Sequence, residues 1–318
     1  MDIKGIHHVS AITKYAQDNY DFYTEVMGMR LVKKTVNQDD PSMYHLFYAD
    51  AKGSAGTDFT FFEIPMLGNT YEGTNSISTT TLRVPDDEAL SFWKERLEAE
   101  ELEIEPIIER FGRRMLFFRD PEGQRLALVS DENNSGIAPG IRWKTSDIPE
   151  SFAVQGLGPV YFTVPQLEPT EQVLTDILGF TNVDHEDDIH RFSTGEGGTG
   201  GEIHVVVDAS LPRERPGKGS VHHAAFRVHD REELEKWVDR VQNAGLINSG
   251  LVDRHYFQSL YFREPNHILI ELATDGPGFD TDEPMERLGE SLALPPFLEE
   301  RREEIEANLK PIHSSHWK

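Results

Sequence analysis

His7 and His8 stand side by side in GIHHVS, His222 and His223 in GSVHHAAFRV, and Glu271 lies inside the apolar run HILIELA. Each pair opens a stretch of alternating or apolar residues that reads as a strand, and the glutamate sits within another. Two imidazoles and a carboxylate projecting from strands form the ligand set of a non-haem iron(II) site, with coordination positions left open for substrate and oxygen. The chain has no cysteine, which excludes disulfides, thiolate metal sites, iron–sulfur clusters and cysteine nucleophiles. The glycine-rich stretch from Gly195 to Glu202 lacks the Lys-Ser/Thr of a phosphate loop and reads as a turn between strands.

These residues need a scaffold, and 318 residues suffice for about two domains or one large one. Against 31 basic side chains stand 56 acidic ones, for a formal charge of −25. Such a surface repels phosphate backbones and anionic headgroups, so neither nucleic acid nor membrane is an expected partner. The N-terminus has no signal-peptide pattern, and no run approaches the roughly 18 apolar residues of a membrane span. The expectation is a cytoplasmic protein; its oligomeric state, a homo-oligomer included, is left open.

The chain repeats itself loosely at a period of roughly 60 to 80 residues. Each unit opens with a strand, continues with an amphipathic helix and closes with further strands, so the expected class is α+β, with four βαβββ modules. The first runs from about Ile3 to Pro65, with a helix over about Tyr15 to Met27 and Gly28 as its C-cap. The second starts near Asn75, with a helix from about Asp87 to Glu98. The third begins at GLGPVYFTV and has a helix near Thr170 to Leu178; the fourth begins at SVHHAAFRV, with a helix from about Arg231 to Ala244. Grouping by sequence order gives a pair of modules over 1–131, a linker over 132–153, a second pair over 154–276 and a polar tail over 277–318.

The repeat filters the histidines. Superposing the units lays His222 and His223 on Ser78 and Thr79, His8 on Pro159, and Glu271 on Leu128. Modules two and three thus fill the ligand positions with residues that bind metal poorly. Generic core histidines would tend to recur in all four copies, and these do not. Strand alternation then allows one ligand per pair, with the neighbour free to orient it or to carry protons, but the pattern alone does not choose between them.

The βαβββ repeat, the GIHHVS opening, GSVHHAAFRV and the closing HILIELA resemble the vicinal oxygen chelate superfamily of glyoxalases, bleomycin-resistance proteins and extradiol dioxygenases. The likeness is strongest to bacterial ring-cleaving dioxygenases that open hydroquinones, and it extends over DFYTEVMGMRLVKKTVNQDDPSMYHLFYAD and LGESLALPPFLEERREEIEANLKPI. The resemblance implies a non-haem iron extradiol-type dioxygenase acting on a small aromatic substrate and O2. Its implied ligands are His8, His223 and Glu271, holding Fe(2+), with Mn(2+) as the alternative. It also implies catalytic roles for Tyr261 in SLYFREP, Arg254 in DRHYF, and the first histidines His7 and His222. A hydroquinone offers the metal only one hydroxyl, so the protein must hold the other, and Tyr261, Arg254 and the spare imidazoles are candidates. Two rivals stay open. A glyoxalase-type isomerase or lyase needs a fourth ligand, for which Glu63 is available; a non-enzymatic ligand-sequestering protein needs no metal.

Overall fold

The computed structural model describes residues 1–144 and 147–313; parts of the expected linker and tail therefore lie outside the described residues. Module one comprises β1 (Ile6–Thr13), α1 (Ala16–Asp21), β2 (Arg30–Val36), β3 (Tyr44–Ala49) and β4 (Asp58–Glu63). Module two comprises β5 (Ser76–Val84), α2 (Asp87–Ala99), β6 (Ile108–Arg110), β7 (Arg113–Arg119) and β8 (Arg125–Ser130). Module three comprises β9 (Val160–Val164), α3 (Leu167–Gln172), β10 (Thr181–Glu186), β11 (Ile189–Ser193) and β12 (Glu202–Val207). Module four comprises β13 (Val221–Val228), α4 (Arg231–Asn243), β14 (Asn248–Asp253), β15 (Phe257–Arg263) and β16 (Leu269–Pro277).

The helices form where their apolar stripes predict. Leu90, Trp93 and Leu97 of α2 are fully buried, as are Leu234, Trp237 and Val241 of α4. Asp86 and Asp230 cap these helices, each accepting a hydrogen bond of 2.9 Å from the amide three residues on. The helices of modules one and three depart from the expected regular turn. Each widens into a π-helical turn, over Phe22–Val26 and Val173–Ile177, before ending at Gly28 or Gly179 with positive φ.

Hydrogen bonding in the sheets does not follow sequence order. One eight-stranded sheet runs β14-β15-β16-β13-β1-β4-β3-β2, the other β10-β11-β12-β9-β5-β8-β7-β6. Module one therefore joins module four, and module two joins module three, in place of the expected grouping over 1–131 and 154–276. The reason is edge pairing: β1 lies antiparallel to β13, and β5 to β9. The two histidine-bearing strands thus become neighbours.

The register departs by one residue from the expected superposition. In module four Ala225 pairs with Glu271, and in module two Thr81 pairs with Ala127. Glu271 therefore corresponds to Ala127 and not to Leu128, because the turns at Glu264-Pro265 and Asp120-Pro121 are the equivalent points. In module one the same comparison places Thr60, paired with Ser10, opposite Glu271 in the pseudo-symmetry. The tail is less solvated than expected. It folds back over module one, where Lys33, fully buried, meets Asp282 and Glu283 at 2.6 Å each. Leu298, Ile305 and Leu309 are buried along it, the last two in and just beyond α5 (Arg302–Asn308).

Candidate metal centre

The ligand strands meet at irregularities of the sheet. Between Ile6↔Phe226 and His8↔Ala225 the β1 strand advances two residues while β13 advances one, so His7 is the extra residue of a β-bulge. Between Ser10↔His223 and Ala11↔Val221 the count reverses, and His222 is the extra one. A bulge re-aims a side chain. Strict alternation would send the two histidines of a pair to opposite faces. The bulges keep them together: Nδ1 of His7 lies 2.8 Å from Nδ1 of His8, and Nδ1 of His222 lies 2.8 Å from Nδ1 of His223.

These contacts set tautomers. Nε2 of His7 lies 3.1 Å from the carbonyl oxygen of Thr274, which can only accept, so that nitrogen carries its proton. Burial, and then the neighbouring His8 imidazole, push the His7 pKa down to about 3, so the ring is neutral. Its Nδ1 must then accept from Nδ1 of His8, which leaves Nε2 of His8 as a bare lone pair. Burial, followed by His223, likewise pushes His222 down to about 3. The corresponding Nδ1–Nδ1 contact leaves Nε2 of His223 bare when His222 accepts as His7 does.

Those two nitrogens converge on Glu271. Nε2 of His8 lies 3.2 Å from Nε2 of His223 and 3.1 Å from Oε2 of Glu271, and Nε2 of His223 lies 2.8 Å from that same oxygen. All three side chains are buried, and neither carboxylate oxygen of Glu271 has a hydrogen-bond partner. Three donor atoms aimed at one another repel unless a cation lies among them. Bonds of about 2.1 Å at right angles put adjacent donors about 3.0 Å apart, the spacing of one face of an octahedron. The donor set fits a divalent metal with its opposite face free.

A cavity of about 320 Å³ opens over that face, lined in part by His8, His222, His223, Arg254 and Tyr261. His7 stands behind His8, against Phe257. Tyr261 pairs with Glu271 across β15 and β16, as the short Pro265-Asn266 turn predicts. Its hydroxyl accepts a 3.2 Å hydrogen bond from Nε of Arg254. Burial and then the Glu271 carboxylate raise its pKa above the ordinary phenol range, so the phenol keeps its proton. Arg254 is held in turn by Asp39, 3.2 Å from Nη1, and by Gln38, which donates to its carbonyl.

Glu63 is not brought to the site. Its Oε1 accepts from the amide of Ala16 at 3.0 Å, and Thr60 occupies the pseudo-symmetric position of Glu271. His255 is turned away, with φ of 69° and its ring toward Asp282 at 3.5 Å. The sequence reading missed His45, which lines the cavity from β3. Its signal was the alternation of YHLFYA, where Tyr44, Leu46 and Tyr48 are buried on one face and His45 and Phe47 share the other.

The family model described as "Glyoxalase/Bleomycin resistance protein/Dioxygenase superfamily" matches residues 5–128 and 156–272. A Bacillus subtilis (strain 168) protein called "Putative ring-cleaving dioxygenase MhqA" is 55% identical over 98% of this chain and 100% of its own. A Sphingobium indicum protein called "Chlorohydroquinone/hydroquinone 1,2-dioxygenase" is 30% identical over 95% of each chain. A crystal structure of a "putative dioxygenase" from Bacillus subtilis superposes with a TM-score of 0.91 at 36% identity, covering 98% of both chains.

Proposed function

Because this chain belongs to the Glyoxalase/Bleomycin resistance protein/Dioxygenase superfamily, we propose that it is an Fe(II)-dependent dioxygenase that opens para-dihydroxylated aromatic rings with O2. The observation that carries this reading is the three-donor face of His8, His223 and Glu271 beneath an apolar cavity. A glyoxalase-type isomerase uses a fourth protein ligand, and here Thr60 stands in its place with Glu63 engaged elsewhere. The names of the relatives support the substrate class. A para-dihydroxylated ring has no bond between its hydroxylated carbons, so cleavage falls between one such carbon and an unhydroxylated neighbour. That is the extradiol sense of the reaction.

His8, His223 and Glu271 would hold the metal, and His7 and His222 would fix the tautomers of the two imidazoles. When bound, Fe(II) lets an electron-rich ring and O2 exchange electrons, which overcomes the spin barrier to their direct reaction. Phe62, Phe257, Ile12 and Leu269 wall the cavity, pack against an aromatic ring and exclude water. Tyr261, with Arg254 donating to its oxygen, keeps its own proton available for an oxygen atom beside the ligands.

Oxygen uptake by anaerobically iron-loaded protein tests this. One O2 should be consumed per hydroquinone, with catechol far slower and Mn(II) as a comparison metal. Conversion of a methylglyoxal–thiol adduct without oxygen uptake would instead support the isomerase reading.

A further inference from the structure

We propose that His45 receives the far hydroxyl of the aromatic substrate, the one that does not meet the metal. This rests on the reading above and adds a residue to it. The two oxygens of a para-dihydroxylated ring lie a ring's length apart. Tyr261 cannot readily serve the far one. It pairs directly with Glu271, and its ring centroid is 5.7 Å from that of His223, so it belongs to the metal end. His45 comes from β3, two strands beyond β1 on the side away from β13 and β16, yet it lines the same cavity because the sheet curls.

The ring of His45 is held as a recognition group would be. Its Nε2 lies 3.0 Å from Oγ1 of Thr60, which lies 2.7 Å from Oγ of Ser10. A hydroxyl offers one proton and two lone pairs, so Thr60 can satisfy both partners and anchor the imidazole. Phe47 and Phe62 flank the ring, each with its centroid 4.0 Å away. Burial holds the imidazole well below its ordinary pKa, so it is neutral and can either donate or accept. The bond to Thr60 engages Nε2 and leaves Nδ1 as the other polar atom of the ring. The pseudo-symmetry gives the arrangement its logic. Where module four sends a carboxylate to the metal, module one sends the Thr60 hydroxyl, too short to ligate and engaged in aiming His45.

The test compares hydroquinone with phenol, which lacks the far hydroxyl, binding anaerobically to iron-loaded full-length protein. A hydrogen bond between neutral groups is worth about fivefold in affinity. The parent should prefer hydroquinone by about that factor or more. In His45→Phe the preference should collapse to near unity with phenol affinity little changed, and His45→Asn should keep part of it. Thr60→Val, which leaves the ring but removes its anchor, should weaken the preference and provides the test if His45→Phe does not fold. A parent that consumes oxygen with hydroquinone, and a His45→Phe variant that retains the parental preference, would overturn this assignment alone. A parent that loads iron yet binds neither compound would overturn the functional reading and this assignment with it.

Discussion

Each candidate ligand histidine is set by the residue before it. His7 and His222 act through Nδ1–Nδ1 contacts of 2.8 Å, and both are neutral in the fold. The His7 pKa lies near 3 in place of the ordinary 6.5, because burial disfavours the charged ring. Between those values the unfolded chain binds protons that the fold does not. Metal-free protein should therefore lose stability as pH falls from about 6.5 toward 3, and should show no such loss above that window. His7→Phe should flatten that decline in denaturant unfolding; an unchanged slope would remove His7 from the account. Tyr261→Phe separates chemistry from metal binding, since the phenol neighbours the ligands without joining them. It should retain iron but lose turnover by at least about tenfold, given that proton transfer by a positioned group is worth 10²–10⁴-fold. Residue types and the repeat made the ligand candidates legible. The choice within each pair was not legible, because it depends on two bulges that period-two reasoning does not contain. His45 escaped because one histidine in an alternating strand carries no signal until the sheet's curl brings it to the cavity that Tyr261 also lines.

Elements were more legible than their connections. Helix stripes marked all four modules, glycine ends three of the helices and Pro-containing turns the last hairpins of modules two and four, since each is written in contiguous sequence. Pairing was not, because antiparallel contact between β1 and β13 joins residues more than two hundred positions apart. The one-residue error that placed Glu271 on Leu128 arose in the loop before β16, where Glu264-Pro265 must be laid on Asp120-Pro121. The Asp230 cap of α4 gives a local check. Its side chain accepts from the amide of Glu233 at 2.9 Å and so satisfies one of the free amides of the first turn. Asp230→Ala should lower the midpoint of denaturant unfolding and leave metal content unchanged. A loss of metal would tie the helix end to the site in a way the geometry does not.

Across the whole molecule, the site exists only where the first and last modules share a sheet. His8 comes from one end of the chain, His223 and Glu271 from the other. Neither residues 1–140 nor residues 150–318, expressed alone, should bind Mn(II) tightly in a titration; tight binding by either would contradict a shared site. The acidity of the chain has no part in this, since the residues around the ligands are mostly apolar or neutral. No described helix is long and apolar enough to cross a membrane. The central claim is that this shared site brings O2 and an aromatic ring together so that both oxygen atoms enter the product. Turnover of hydroquinone under oxygen-18 gas, with mass analysis of the ring-opened acid, tests it most directly. Each product molecule should carry two labelled oxygen atoms, and His223→Ala should form no ring-opened product; unlabelled product, or a single label derived from one atom of O2, would contradict this.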